Sequence, residues 1–289
     1  MGAGPLGTID NEVAIRLAAF AAALVALTLA ERGAPRRAHS TAPSLRWPAN
    51  LGLMSVGVAL SRLIVPVGAA GAGALAADRG WGLLGLAGIA MTPLGLVIAV
   101  VALDFAIYGQ HVLMHRVPIL WRLHRVHHAD PAVDASTGVR FHPIEIAVSA
   151  LLKFGLVLAL GASAAAVVAF EILLNVSSLF GHANLRLPAA ADRAIRAIFV
   201  TPDMHRVHHS AIPSEMNRNF GFALAWWDRL CGTYRPEPAA GHEAMALGLP
   251  SIPPARAEGF WSMLVEPLRQ EDEPERRTIH GADRARRGP

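Results

Sequence analysis

Long apolar segments restrict the fold of this chain more than any other feature of its sequence. Residues 13–30 read VAIRLAAFAAALVALTLA, and apolar runs of similar or greater length recur near 51–70, 81–108 and 144–180. A helix needs roughly 20 such residues to cross the hydrocarbon core of a bilayer. Only 17% of the 289 residues are charged, and the mean hydropathy is positive at +0.38. The sequence therefore predicts an all-α fold, an integral membrane helical bundle.

The first three apolar segments predict three successive spans. The first span lies within Asn11–Ala30, and the second covers about Leu51–Ala70. The third begins near Trp81 and runs to about Tyr108, interrupted by Pro93, and its helix continues past the membrane surface to His115.

The fourth apolar segment, Ile144–Phe180, is too long for one crossing and short for two. Small residues from Gly161 to Ala164 near its centre indicate a helical hairpin. Each arm would hold about 17 residues, roughly 25 Å of helix. Such a hairpin spans the bilayer or dips in and returns, and in both cases its two ends lie on one face.

The orientation follows from the arginines. The loop after the first span holds Arg32, Arg36, Arg37 and Arg46, whereas residues 71–80 hold one arginine and one aspartate. Positive loops stay in the cytoplasm, so residues 31–48 are predicted to be cytoplasmic. Counting the spans forward places His111–His128, and all residues from His182 onward, on the same side.

Two features exclude other classes of protein. The single cysteine, Cys231, rules out an internal disulfide and a cysteine-based metal cage, and we expect it to be a small buried side chain. The net charge of +4 comes mostly from arginines that flank apolar spans. Attraction to anionic lipid headgroups explains these arginines, and no nucleic-acid partner is predicted.

Histidine spacing predicts a metal centre. His111 and His115 share a helical face at i, i+4. The pentapeptide HRVHH occurs twice, and its histidines again cluster on one helical face; they are His124, His127, His128, His205, His208 and His209. Neutral imidazole is the commonest metal ligand, and eight ligands exceed what one ion takes. Two metal ions are therefore expected, and imidazole suits Fe, Zn, Cu and Ni alike. His39, His242 and His280 stand alone and are expected to be ordinary surface or core residues.

Two familiar metal motifs are missing from the sequence. It has no HExxH, which argues against the usual zinc protease, and no paired Glu-x-x-His motifs of the ferritin-like di-iron bundles.

The three histidine boxes, HVLMH, HRVHH and HRVHH, resemble the HX3H, HX2HH and HX2HH boxes of the membrane fatty acid hydroxylase/sterol desaturase superfamily. The resemblance runs from about Asp104 to Tyr234. It includes DFAIYGQH, STGVRFHPIE, GHANL, TPDMHRVHHS and NFGFALAWWDRLCGTY, in the family's order. It implies a cytoplasmic-facing centre of two non-haem iron ions that activates O2 and oxidises a C–H bond of a lipid.

The resemblance also implies site residues and a domain division. The eight box histidines are ligands, His182 in GHAN occupies the position of a further ligand, and His142 in RFHP is a ligand or else a supporting or substrate-gating residue. Residues 1–80 hold the N-terminal spans and basic loop. Residues 81–268 form the hydroxylase-like domain of membrane helices and cytoplasmic cap, and 269–289 a disordered charged tail.

Carboxylates and amides near the boxes are expected to support the ligands, since metal-bound imidazoles usually donate their other N–H to such a group. The candidates are Asp104, Asp203, Asn184, Glu215 and Asn219. Glu145 and Lys153, inside the fourth apolar segment, are instead expected to extend towards the membrane interface.

The sequence contains no haem box, flavin fingerprint or cysteine-rich iron–sulfur motif. A separate electron donor, a ferredoxin or a cytochrome b5-like protein, is therefore implied. A lipid hydroxylase is the favoured function. A desaturase with the same metals is the alternative, because the boxes do not determine whether the lipid gains oxygen or loses a second hydrogen. A non-catalytic metal-binding or transport protein is a more distant alternative, since the spans offer few polar residues for an ion path.

Overall fold

The computed structural model describes residues 5–38 and 42–270, and these residues form helices joined by short connections. In chain order the α-helices are α1 (Pro5–Gly33), α2 (Pro43–Ile64), α3 (Gly68–Arg79), α4 (Gly82–Leu86), α5 (Pro93–Arg116), α6 (Pro118–His128), α7 (Pro143–Leu160), α8 (Ala164–His182), α9 (Ala189–Arg196), α10 (Pro202–His208), α11 (Pro213–Met216), α12 (Trp226–Leu230), α13 (Gly241–Ala244), α14 (Pro254–Ala257) and α15 (Phe260–Val265). Short 3-10 helices cover Ala135–Val139 and Glu266–Leu268. Within the described ranges only isolated bridges, and no strands, are formed. The all-α prediction is confirmed.

Five segments are long and apolar enough to cross a membrane. They are Asn11–Gly33, Pro43–Leu86, Pro93–Arg116, Pro143–Leu160 and Ala164–His182. α1 packs against α8, α2 against α7, and α3 against both, and α5 packs against α8, so these segments form one bundle. The chain is a multi-pass membrane protein.

The second and third spans differ from the prediction in where they begin and end. α2 starts at Pro43 and, after a break around Pro66, α3 carries the chain on to Arg79. The span that leads to the first histidine box starts at Pro93 rather than near Trp81. Proline suits the first turn of a helix because it has no N–H to leave unpaired. Thr92 caps this helix, its hydroxyl accepting a hydrogen bond from the Gly95 N–H at 3.1 Å.

The predicted hairpin is present. α7 ends at Gly161, whose φ of +69° is a left-handed conformation that favours glycine. Ser163 then caps α8 by accepting a hydrogen bond from the Ala166 N–H at 3.3 Å. A Cβ atom on Gly82 would lie 2.0 Å from the Gly161 nitrogen, so the connection before α5 packs directly on the hairpin turn.

The histidine segments and the arginine-rich loop lie at the same end of the bundle, as predicted. Arg36 N–H donates to the Asn184 carbonyl at 3.0 Å, just after α8. Arg46 forms an ion pair with Asp130 at 2.9 Å, just after α6. That this end faces the cytoplasm stays a prediction.

Buried charges hold the loop between α6 and α7 in place. Arg46 is fully buried and binds both Asp130 and Asp134. Burial opposes ionisation of Asp130, but Arg46 and Arg140 outweigh it and hold the pKa of Asp130 below its usual range. The Arg140 guanidinium donates to the Val126 carbonyl and the Asn50 amide oxygen, both at 2.8 Å. This loop is therefore tied to both α2 and α6.

Several side chains correct the sequence-based expectations. Lys153 does not extend to the interface but binds Glu171 of α8 at 2.7 Å, and Arg16 of α1 binds the same carboxylate at 2.9 Å. Cys231 is exposed rather than buried, and it directly follows the short helix α12. His39, His280 and all but the first two residues of the predicted tail 269–289 lie outside the described residues.

Candidate metal centre

Nine histidines converge in two groups at the end of the bundle. The ligand atoms of each group lie within 4.8 Å of one another. The five-histidine group contains His111, His115, His124, His128 and His208, and the four-histidine group contains His127, His182, His205 and His209. All nine side chains are buried, with at most 2% of their surface exposed.

Helix geometry explains how each HRVHH box serves both groups. Adjacent residues of a helix point about 100° apart, since a turn takes about 3.6 residues. His127 and His128 therefore diverge into different groups, and so do His208 and His209. His124, one turn before His128, joins it in the five-histidine group. Two separate groups agree with the prediction of two metal ions.

The break between α5 and α6 brings the first two boxes together. α5 ends at Arg116 and Pro118 starts α6, which turns the chain back. As a result the His115 ring lies 4.7 Å from the His128 ring, centroid to centroid. The His115 ring also lies 5.1 Å from Trp121, which is fully buried in an apolar cluster that includes Leu53 of α2 and Met263 of α15.

Hydrogen bonds to acceptor-only groups fix the protonation of five rings. Nδ1 lies within hydrogen-bond distance of a backbone carbonyl in four of them, pairing His111 with Phe220 (2.7 Å), His127 with Arg140 (3.1 Å), His182 with Ser178 (2.6 Å) and His208 with Arg218 (2.8 Å). In the fifth, His124, the acceptor is the Glu145 carboxylate at 2.7 Å. A carbonyl or carboxylate oxygen can only accept, so Nδ1 carries the proton. In the neutral ring Nε2 then presents a lone pair.

These lone pairs face each other. Nε2 of His111 lies 3.1 Å from Nε2 of His124, and Nε2 of His182 lies 3.0 Å from Nε2 of His127. Lone pairs this close repel unless a cation binds both. Neither ring nitrogen of His128 or His209 has a hydrogen-bond partner among residues 5–38 and 42–270. The donor set fits two metal ions, one for each group.

Five of the rings outside the membrane spans stay neutral at physiological pH. Burial, and then repulsion from neighbouring imidazoles, lowers the pKa of His127, His128, His205 and His209 well below 6.5. Burial lowers the pKa of His208 in the same way. Neutral imidazole is the form that binds a metal.

His142 is not brought into either group. It is the N-terminal cap of α7, where its Nδ1 accepts a hydrogen bond from the Ile144 N–H at 3.2 Å. Its Nε2 lies 3.0 Å from the Leu264 carbonyl and donates to it. Both ring nitrogens are thus engaged by the backbone, which leaves no lone pair for a metal ion.

Two of the predicted supporting residues, Asp104 and Asp203, bind the loops around the boxes and not the imidazole rings that they were expected to contact. Asp104 accepts from Trp227 Nε1 at 2.7 Å and from the Leu224 N–H at 3.2 Å. Asp203 binds the guanidinium groups of Arg36 at 3.1 Å and Arg206 at 2.7 Å. These two carboxylates position cap segments that carry or flank the ligands.

The other three candidates act in the same way. Asn184 exchanges hydrogen bonds with the backbone of Arg37. Asn219, at a left-handed φ of +53°, donates to the carbonyls of Met204 and Arg235. Glu215 accepts from Ser210 Oγ at 2.6 Å and binds Arg235 at 2.9 Å.

Sequence reasoning missed the carboxylate that does contact a ring. Glu145 is buried, with 5% of its surface exposed, so the expectation that it reaches the interface is wrong. The sequence feature that could have indicated this contact is the position of Glu145 in the first turn of the helix that follows RFHP.

Sequence reasoning also missed two phenylalanines that lie over both groups. The Phe141 ring stacks on His127 at 4.4 Å, with 9° between the ring planes. The Phe222 ring lies 4.9 Å from His111 and 6.1 Å from His205. Both rings are half-buried, and Phe222 packs against the apolar core of the bundle. This side of the centre therefore faces the membrane helices.

Comparison with known proteins places the site within a family. A sequence model of the family described as "Fatty acid hydroxylase" matches residues 96–233, which contain all nine converging histidines. Ornithine lipid hydroxylase OlsE of Rhizobium tropici is 31% identical over 175 residues, 61% of this chain and 49% of that protein. Alkylglycerol monooxygenase of Danio rerio is 31% identical over 141 residues, and that of Homo sapiens 29% over 140, in each case 48% of this chain and 30% of the relative.

The matched residues thus span about half the length of the ornithine lipid hydroxylase and under a third of the two alkylglycerol monooxygenases. No solved structure matches the chain.

Proposed function

Since the chain belongs to the fatty acid hydroxylase superfamily through residues 96–233, we propose that it is a membrane-bound di-iron monooxygenase that hydroxylates a C–H bond of a lipid. The observation that carries the proposal is the pair of buried imidazole groups at one end of an apolar bundle. The reaction takes O2 and electrons from outside the chain.

Iron is the proposed metal. Imidazole ligands accept iron or zinc, but iron supplies the redox chemistry that activates O2, which zinc lacks. The protein's own contribution is to hold nine rings, five of them with a fixed tautomer, in a site shielded from water. Shielding of this kind keeps a reactive centre from side reactions.

The proposed substrate reaches the centre from the bilayer. Phe141 and Phe222 cover the imidazole rings on the side of the membrane helices, where the apolar core of the bundle begins. An alkyl chain moving in along this side would meet the rings without leaving an apolar environment. Positioning of one C–H bond over the two groups would then decide which carbon is oxidised.

The lipid class to test first follows from the relatives. One relative is named an ornithine lipid hydroxylase and two are named alkylglycerol monooxygenases, so both names refer to a lipid that carries a polar group. We propose a substrate of this general form, a polar-headed lipid hydroxylated on its chain or head. These names also favour hydroxylation over desaturation.

The electron donor is proposed to be a separate protein, a ferredoxin or a cytochrome b5-like protein, that docks on the cap from the cytoplasm. The single cysteine of the chain supports this, because a cysteine-ligated iron–sulfur cluster needs several.

Comparative lipidomics of cells with and without the gene tests the function. The expected result is a lipid species heavier by one oxygen atom that needs O2 and disappears in a His128→Ala/His209→Ala variant. A species lighter by two hydrogen atoms would show the desaturase instead. If the protein binds metal but the lipids do not change, the chain is a metal-binding protein without turnover, and the proposal is contradicted.

A further inference from the structure

One acid stands out among the groups that contact the histidines. Glu145 Oε1 lies 2.7 Å from His124 Nδ1, and Glu145 belongs to the first turn of α7. Among the described residues it is the only carboxylate that hydrogen-bonds a ring nitrogen of the nine. The other fixed rings donate to backbone carbonyls. Among the described residues, the five-histidine group is therefore the only one in which a ring is hydrogen-bonded to a carboxylate.

Within residues 5–38 and 42–270, Glu145 forms no ion pair with an arginine or a lysine. Its second oxygen, Oε2, is buried and has no hydrogen-bond partner in the described part of the chain. Two other buried carboxylates have a cationic partner: Asp130 binds Arg46, and Glu171 binds Lys153. A buried carboxylate is costly unless a positive charge compensates it. The positive end of α7 supplies part of that charge, and a metal ion on His124 would supply the rest.

We propose that Glu145 is a positioning residue, which holds His124 with its proton on Nδ1 and strengthens binding of one metal ion through its negative charge. The inference rests on the proposed function, because it needs a metal ion in the five-histidine group. It adds that the two sites differ. In the five-histidine group one ring is hydrogen-bonded to a carboxylate, whereas in the four-histidine group the rings with a fixed proton donate to backbone carbonyls.

The expected loss of metal affinity follows from the general behaviour of carboxylates that hydrogen-bond metal-binding imidazoles. A carboxylate that accepts the N–H of a ligating imidazole makes the ring a better donor, and its loss typically weakens metal binding by roughly 10–100-fold. Glutamine at position 145 can still accept the N–H but has no charge. Glu145→Gln thus separates the charge from the hydrogen bond and keeps the side-chain volume.

Zinc affinity of the purified full-length protein, measured by competition with a chromophoric chelator, tests the proposal without catalysis. Two backgrounds isolate the sites: His209→Ala leaves the five-histidine group intact, and His128→Ala leaves the four-histidine group intact. Glu145→Gln should weaken zinc binding by roughly 10–100-fold in the first background. It should change nothing in the second, where the four-histidine group also reports that the chain is folded.

Glu243→Gln is the matched control, because it is the same substitution at an exposed carboxylate that binds Arg186 and Arg36. It should leave zinc affinity unchanged in the His209→Ala background. Equal weakening of both sites by Glu145→Gln, or weakening of neither, would overturn the inference. Absence of zinc binding by the unmutated chain would instead overturn the proposed function.

Discussion

Replacing Asp130 by asparagine should destabilise the protein strongly, because Asp130 compensates a guanidinium that has no access to water. Arg46 and Asp130 are both fully buried and lie 2.9 Å apart. Removing one partner of a buried ion pair typically costs about 3–5 kcal/mol. Arg46 keeps its contact with Asp134, so the lower end, about 3 kcal/mol, is expected. For a chain of this size that corresponds to a fall in melting temperature of roughly 6–12 °C.

Thermal unfolding in detergent with a metal chelator present measures this effect, followed by tryptophan fluorescence. Glu243→Gln is the control, since Glu243 is 65% exposed and pairs with Arg186, itself 57% exposed. An exposed pair of this kind contributes less than about 1 kcal/mol. If Asp130→Asn and Glu243→Gln melt at the same temperature, the reasoning from burial is refuted.

Three further outcomes are expected. Burial lowers the pKa of imidazoles such as that of His127, so the unfolded chain binds more protons than the folded chain below pH 6.5. The melting temperature of chelator-treated protein should therefore stay constant above pH 6.5 and fall below pH 6.5. A melting temperature that does not change with pH would contradict this. In intact cells, a maleimide that cannot cross the membrane should not label the exposed Cys231, because all residues from His182 onward are predicted to be cytoplasmic. The same reagent should label Asp78→Cys in a chain that also carries Cys231→Ser. Labelling of both cysteines would refute this topology. Ala102 and Ala106 are small, half-buried residues of α5 in the three turns before His111, so leucine at these positions should narrow a lipid path along α5 and shift the oxidised position without metal loss. Ile98→Leu, at an exposed position of the same helix, should not. An unchanged product pattern in the leucine variants would exclude entry of the lipid along α5.

Much of the bundle could be predicted because bilayer crossing depends on length and apolarity, which composition records directly. The hairpin of α7 and α8 was predictable for the same reason, with glycine and serine marking its turn. The residue at which α5 begins could not be predicted. Residues 81–92 are as apolar as the span that follows, so hydropathy alone cannot show that a helix ends at Leu86 and another begins at Pro93.

The metal centre was predictable wherever ligands repeat at helical spacing. Spacing alone indicated eight histidines, and the family resemblance added His182. His142 lies outside both groups, because a histidine before a proline also suits a helix cap, where the backbone engages both ring nitrogens. Glu145 was missed because its partner His124 is 21 residues away, on another helix. Contacts between helices of this kind leave no periodic pattern in the sequence.

Metal content tests the central claim most directly. Iron in the purified protein, measured by plasma mass spectrometry against protein concentration, should reach two ions per chain, one for each group. His128→Ala and His209→Ala should each lower iron towards one ion per chain, and the double variant should hold none. His242→Ala should keep both ions, since His242 lies outside the two groups and contacts Glu237 at 2.8 Å. An unmutated chain that never exceeds one ion, or a double variant that keeps two, would contradict the account.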